Sequence, residues 1–269
     1  MGYRYDAIII KRKIRVKMMD QVLNGNMPFG GLYKAGAAAA VLAAVIFRRN
    51  LDAEFVLLRG IGIIKSGPIA PPSTVIGWFL LIQQNRLIGL TLLNLFDLVN
   101  YALVGLIFLA LGAALWRSSQ SWIAVAAALG FSGITVYFAS NQTLSMLSLS
   151  NQYTVATTDA QRAIFLAAGQ VALALHHNAN FAGPGIYISF LLVSVTGLII
   201  SVVMLHSPSF SKVSACMGIL ANAIGVSYYV VLALAPVFVF IPISVSAIFL
   251  LIWYLLVGRQ LWELSSNKN

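Results

Sequence analysis

The sequence predicts an all-α, polytopic integral membrane protein: a bundle of six transmembrane helices with two short helices that do not span. Three observations carry this reading. Of 269 residues, 60% are hydrophobic and only 9% are charged, whereas an ordinary soluble domain is roughly 25% charged. Mean hydropathy is +0.89. The apolar residues gather in runs near the ~20 residues that a helix rising 1.5 Å per residue needs to cross a bilayer. So little polar surface could not cover a soluble protein of this size. A soluble enzyme, a disordered chain and a fibrous repeat are all excluded.

Residues 1–29 read as a basic cytoplasmic tail. Six of the 17 basic residues fall there: Arg4, Lys11, Arg12, Lys13, Arg15 and Lys17. A basic segment beside a membrane is drawn to anionic lipid headgroups. No aromatic-basic module follows it, so membrane lipids and not nucleic acid are the expected partners. The six-helix domain occupies residues 30–264, and residues 265–269 form a short C-terminal tail.

The first span is Leu32–Phe47, an Ala-rich run with Lys34 near its start and Arg48 and Arg49 at its end. It lacks a small-x-small cleavage site, so it reads as an anchor and not as a signal peptide. A Pro-rich turn then leads to a short helix capped by Ser73 or Thr74 and ending at Gln84. The second span reads as one helix from Arg86 to Trp116. Its length of about 46 Å requires tilt or protrusion. The third runs from Trp122 to Leu144. The segment from Ser145 to Gly183 is expected outside the cytoplasm, with a helix capped by Thr157 or Thr158 and its body at Gln161–Leu175. The fourth span, Ile186–Leu205, follows Pro184, which suits a helix start. The fifth is Val213–Leu234, with Ser209 and Ser211 as possible caps. The sixth is Val237–Val257, with Pro242 in its first turns, Arg259 at its end, and Trp253, Tyr254 and Trp262 suited to the interface.

With six crossings, eleven Lys and Arg residues fall on the side of the termini and six on the other. The imbalance depends on the tail. It predicts a cell-membrane protein with both termini in the cytoplasm.

Several segments resemble a known family. They are Phe47-Arg48-Arg49-Asn50-Leu51-Asp52-Ala53-Glu54, Gly77-Trp78-Phe79-Leu80-Leu81-Ile82-Gln83-Gln84-Asn85, Leu93-Asn94-Leu95-Phe96-Asp97-Leu98-Val99-Asn100-Tyr101-Ala102-Leu103 and Ile199-Ile200-Ser201-Val202-Val203-Met204-Leu205. Together they are similar to the prokaryotic six-helix membrane proteins catalogued as domain of unknown function 4386, over roughly Leu32 to Leu264. The resemblance implies a fold and a membrane, and no activity. Many members carry an acid at the start of the last helix. Here that stretch is Ile241-Pro242-Ile243-Ser244-Val245-Ser246, so no role of that acid carries over.

Asp97 is the one acid well inside an expected span, where a carboxylate costs about 2.5–3.5 kcal/mol on insertion scales. Asn94 and Asn100 at i−3 and i+3, and Tyr101 at i+4, fall on its helix face. Arg86, eleven residues earlier and close to three turns away, also falls near that face. Arg86, Asn94, Asp97, Asn100 and Tyr101 are therefore the candidate site for a small or lipidic ligand. The competing reading makes them hydrogen-bonded glue between helices, in a structural or interaction subunit. A second cluster, Arg48, Arg49, Asp52, Glu54 and Arg59, lies at the outer mouth of the first span, where an ion-pair network that fixes the loop is the stronger reading.

Neighbouring His176 and His177 point about 100° apart on a helix and do not make a metal site. Lone Cys216 in an apolar run reads as a small hydrophobe. The two Ser-Asn-Gln triplets at residues 140 and 150 read as helix-end hydrogen-bonding groups. Ser194, Gly197 and Ser201, and Gly218, Ala221, Asn222 and Gly225, read as close-packing faces. No nucleophile triad, zinc-protease, phosphate-loop or dinucleotide pattern occurs, so neither a cofactor nor a metal is expected. An intramembrane enzyme ranks behind the binding and structural readings.

Overall fold

The computed structural model describes residues 29–58, 71–178 and 181–266. Within them the chain is a helical bundle with a helical cap at one end. Helix α1 is Gly30–Leu58. The cap begins with α2 (Val75–Gln84) and α3 (Arg86–Leu92), and α4 (Leu95–Leu115) and α5 (Gln120–Ser140) follow in the bundle. Then α6 (Thr143–Val155) and α7 (Asp159–His176) complete the cap. The chain closes with α8 (Pro184–Leu205), α9 (Lys212–Leu234) and α10 (Phe240–Ser266).

Helices α1, α4, α5, α8, α9 and α10 each pack on the next, and α10 packs back on α1, closing a six-membered ring. Helix α4 also touches α8 across it. The interior is filled by fully buried large side chains, among them Ile107, Leu111, Leu115, Met204, Trp253, Val257 and Leu261. The outer surface is apolar too: Leu106 and Leu109 of α4, Val202 of α8, Val230 of α9 and Ile252 of α10 all face outward. A bundle apolar inside and outside belongs in lipid. Five stretches are long and apolar enough to cross a membrane: α4, α5 with α6, α8, α9 and the segment Pro236–Ser266. The apolar part of α1, Gly30–Ile46, is shorter, about 26 Å.

Two expectations are corrected. The second span is not one helix from Arg86 to Trp116. It breaks at Leu93–Asn94, where Asn94 takes a left-handed conformation with φ 64° and ψ 35°. Asparagine tolerates that conformation better than most residues. The third span also does not run to Leu144, and the segment after it holds one helix more than expected: α5 gives way to α6 at Asn141–Gln142. Together α5 and α6 cover 36 residues, about 54 Å, so α6 stands beyond the ~30 Å hydrocarbon layer. The cap therefore has four helices and not two. A two-residue antiparallel pairing, His177–Asn178 with Phe181–Ala182, leads from it into α8.

Local chemistry sets the starts of these elements. Thr74 caps α2 by accepting from the Gly77 amide at 3.1 Å. Asn85 separates α2 from α3 and accepts from the Ile88 amide at 3.1 Å. At α7 the Thr158 hydroxyl accepts from the Gln161 amide, and the Gln161 side chain accepts in return from the amides of Thr157 and Thr158. This is a reciprocal capping box. Ser211 caps α9 through the Ser214 amide; Ser209 does not. Pro184 occupies the first turn of α8.

The cap has its own core of Val75, Trp78, Phe79, Ile82, Leu93, Met146 and Ala172. Its polar ties come from the second Ser-Asn-Gln triplet, which lies within α6 and not at a helix end. Gln83 donates to Ser150 at 2.9 Å and to Asn151 at 3.1 Å, and Ser150 donates to the Phe79 carbonyl. Side chains read as helix-end hydrogen-bonding groups thus join α2 to α6.

Candidate functional site

The two helix breaks face each other at the seam between cap and bundle. The Thr143 hydroxyl at the start of α6 donates to the Leu93 carbonyl beside the α3–α4 break. The Asn141 side chain accepts from the Thr143 amide at 3.0 Å and donates to the Tyr137 hydroxyl at 3.3 Å. Tyr137 in turn stacks on Tyr101 of α4, with ring centroids 3.7 Å apart and planes 4° from parallel. A continuous polar path therefore runs from the cap hinge to the inner face of α4.

Asp97 sits in the first turn of α4, just inside the break. A helix N-terminus carries partial positive charge and favours an acid there. The carboxylate is half-buried and close enough to the Tyr101 and Tyr137 phenols to act on both electrostatically. One turn inward, Asn100 is only 6% exposed, and its side-chain oxygen is buried with no hydrogen-bond partner. Ser189 of α8 lies beside the Tyr101 hydroxyl. It is fully buried, and its hydroxyl oxygen likewise has no partner of normal geometry. Tyr229 of α9 closes the far side by donating to the Tyr187 carbonyl.

The sequence-predicted site is thus brought together in part. Asp97, Asn100 and Tyr101 share the inner face of α4. Asn94 does not belong to that face, because it is the left-handed hinge residue preceding the helix. Arg86 does not join it through helix periodicity either. It is exposed at the start of α3, and the break removes the register that three unbroken turns would have given. Arg48, Arg49, Asp52, Glu54 and Arg59 lie outside the residues whose side chains are described, as do His176 and His177. Among the described residues no group of His, Cys, Asp or Glu is placed to hold a metal.

Sequence reasoning missed Tyr137, Thr143 and Ser189, and read Asn141 correctly as a helix-end hydrogen-bonding group without connecting it to the site. A signal was present for that connection: Tyr137 and Asn141 are an i,i+4 polar pair at the end of an otherwise apolar run. Ser189 carried none.

No family model matches the chain, and no curated protein or solved structure matches it. The resemblance to the six-helix family therefore stands on the sequence segments alone, and the chemistry of the seam has to carry the functional reading.

Proposed function

We propose that this chain is a non-enzymatic protein of the cell membrane that binds or transports a small or lipidic ligand at the seam between bundle and cap. The observation that carries the reading is the buried, unpartnered side-chain oxygen of Asn100 beside Asp97 and Tyr101. A buried acceptor without a partner costs about 1–3 kcal/mol, and more is at stake where water is excluded. A ligand that donates hydrogen bonds, such as an amine or a polyhydroxyl headgroup, would satisfy it and meet the Asp97 carboxylate one turn away.

Charge supports the orientation. Among the described residues, the end holding the start of α1 and the end of α10 carries Lys34, Arg117, Lys212 and Arg259 against Glu263. The cap end carries Arg86 and Arg162 against Asp97 and Asp159, and the last turns of α1 bring Arg48, Arg49, Asp52 and Glu54 to the same end. With Arg48 and Arg49 counted, the two ends are level in Lys and Arg, and it is the basic tail that tips the positive-inside rule toward a cytoplasmic first end.

The structural-subunit reading has its own support elsewhere in the bundle. Asn222 donates to the Gly218 carbonyl at 2.7 Å, Ser246 to the Ala221 carbonyl at 2.8 Å and Thr196 to the Ala126 carbonyl at 3.2 Å. Those groups are satisfied, whereas Ser201, Ser214 and Trp253, like Asn100, each keep a buried polar atom without a partner; what sets Asn100 apart is the Asp97 carboxylate one turn away.

Asn100→Leu separates the two readings. On the binding reading, thermal unfolding in detergent shows equal or higher stability, because an unsatisfied acceptor is removed while the volume is roughly kept. Retention of a co-purified ligand falls at the same time. A loss of about 1–3 kcal/mol of stability with no change in bound material would make Asn100 glue and sink the proposal.

A further inference from the structure

We infer that the groove between α1 and α10, at the end of the bundle opposite the seam, binds an anionic phospholipid, with an acyl chain along its floor and the phosphate near Lys34 and Arg259. This site is independent of the proposed ligand site. The groove has a volume of about 640 Å³ and an apolar lining. Its floor is set by Ala37, Ala38 and Gly258, whose small size leaves a trough between the helices. The floor cannot be deeper, because a Cβ on Gly258 would already lie 3.3 Å from the Ala37 carbonyl oxygen. Val41 and Leu255 form its walls, and both are exposed and suited to an alkyl chain.

At its basic end the groove reaches Arg259, Trp262 and Glu263. Lys34 is exposed one turn before Ala38 on α1, toward that same end. Trp262 is 56% exposed, as an aromatic at headgroup depth should be. The Arg259 Nε–H is held by Glu263 at 2.8 Å. A guanidinium has five N–H donors, so four remain to bind a phosphate.

Glu263 offsets Arg259, and exposed Lys34 adds a further positive charge, so the headgroup region keeps a positive balance. That charge selects an anionic lipid over a zwitterionic one. It also disfavours a second copy of the chain on the same face, which would place Lys34 and Arg259 near their own equivalents.

The test is native mass spectrometry of the full chain, titrated with phosphatidylglycerol or phosphatidylcholine and read beside two variants. Ala38→Phe fills the groove from its exposed side, and Arg259→Gln removes an exposed charge; circular dichroism checks that both keep their helix content. The wild type should retain phosphatidylglycerol about tenfold better than phosphatidylcholine, and Arg259→Gln should lose about fivefold. Ala38→Phe should lose binding of phosphatidylglycerol without changing the oligomeric state. Equal retention of the two lipids, or phosphatidylglycerol binding unchanged in both variants, overturns the inference. So does a wild-type dimer that Ala38→Phe dissociates, which would make the groove a self-association face.

Discussion

Gly218→Ala lowers the stability of the bundle by about 1–3 kcal/mol, the usual range for overpacking a tight interior. A Cβ at this position would lie 2.2 Å from the Ser201 hydroxyl oxygen of α8 and 2.5 Å from the Trp253 ring nitrogen of α10. Trp253 is 1% exposed and Ser201 fully buried, so neither side has space to retreat into. The added methyl must push α9 away from two neighbours at once, weakening contacts along both seams. Ser201→Ala in the same chain should recover only part of the loss, because the Trp253 ring still blocks the site. Gly31→Ala is the control. Among the described residues a Cβ there meets nothing within 4 Å, and alanine is the better helix former, so that variant should be neutral or slightly more stable. Thermal unfolding in detergent reads all three.

Thr143→Val loosens the cap and spares the bundle. The substitution keeps the side chain's shape and removes the hydroxyl that donates to the Leu93 carbonyl. Thr143 is fully buried, so the carbonyl has no ready access to water, and the expected cost is about 1–3 kcal/mol. The effect should be local. Hydrogen exchange should speed up in α2, α6 and α7, which share the cap core, and stay unchanged in α8, α9 and α10. Thr143→Ser, which keeps the donor, should restore most of the protection. A uniform rise across both parts would contradict the view that this bond joins two separate packing units.

The spans were legible because lipid demands long apolar helices with their own hydrogen bonds, and hydropathy reads that directly. The break at Asn94 was hidden by Leu92, Leu93 and Leu95 on either side. The one clue was a span of about 46 Å, too long for a bilayer. Helix α6 was missed because Thr143–Val155 is rich in Ser, Thr, Asn and Gln and shows no apolar stripe. Its helix is held from outside by Gln83 and by the packing of Met146 into the cap core. The inner face of Asp97, Asn100 and Tyr101 followed from spacing along one helix. Arg86 and Asn94 fell away because that spacing assumed an unbroken helix. Tyr137 and Ser189 lie 36 and 88 residues beyond Tyr101, and only the closure of the ring brings them to it.

A ligand held at the seam by Asp97 is detectable by native mass spectrometry of the wild type beside Asp97→Asn. The wild type should carry a bound small molecule or lipid that is lost from Asp97→Asn and kept by Arg259→Gln, which separates it from any lipid in the α1–α10 groove. Spectra showing the same bound masses, or none, for wild type and Asp97→Asn, with the variant merely less stable, would contradict a ligand site at the seam and make the carboxylate a structural one.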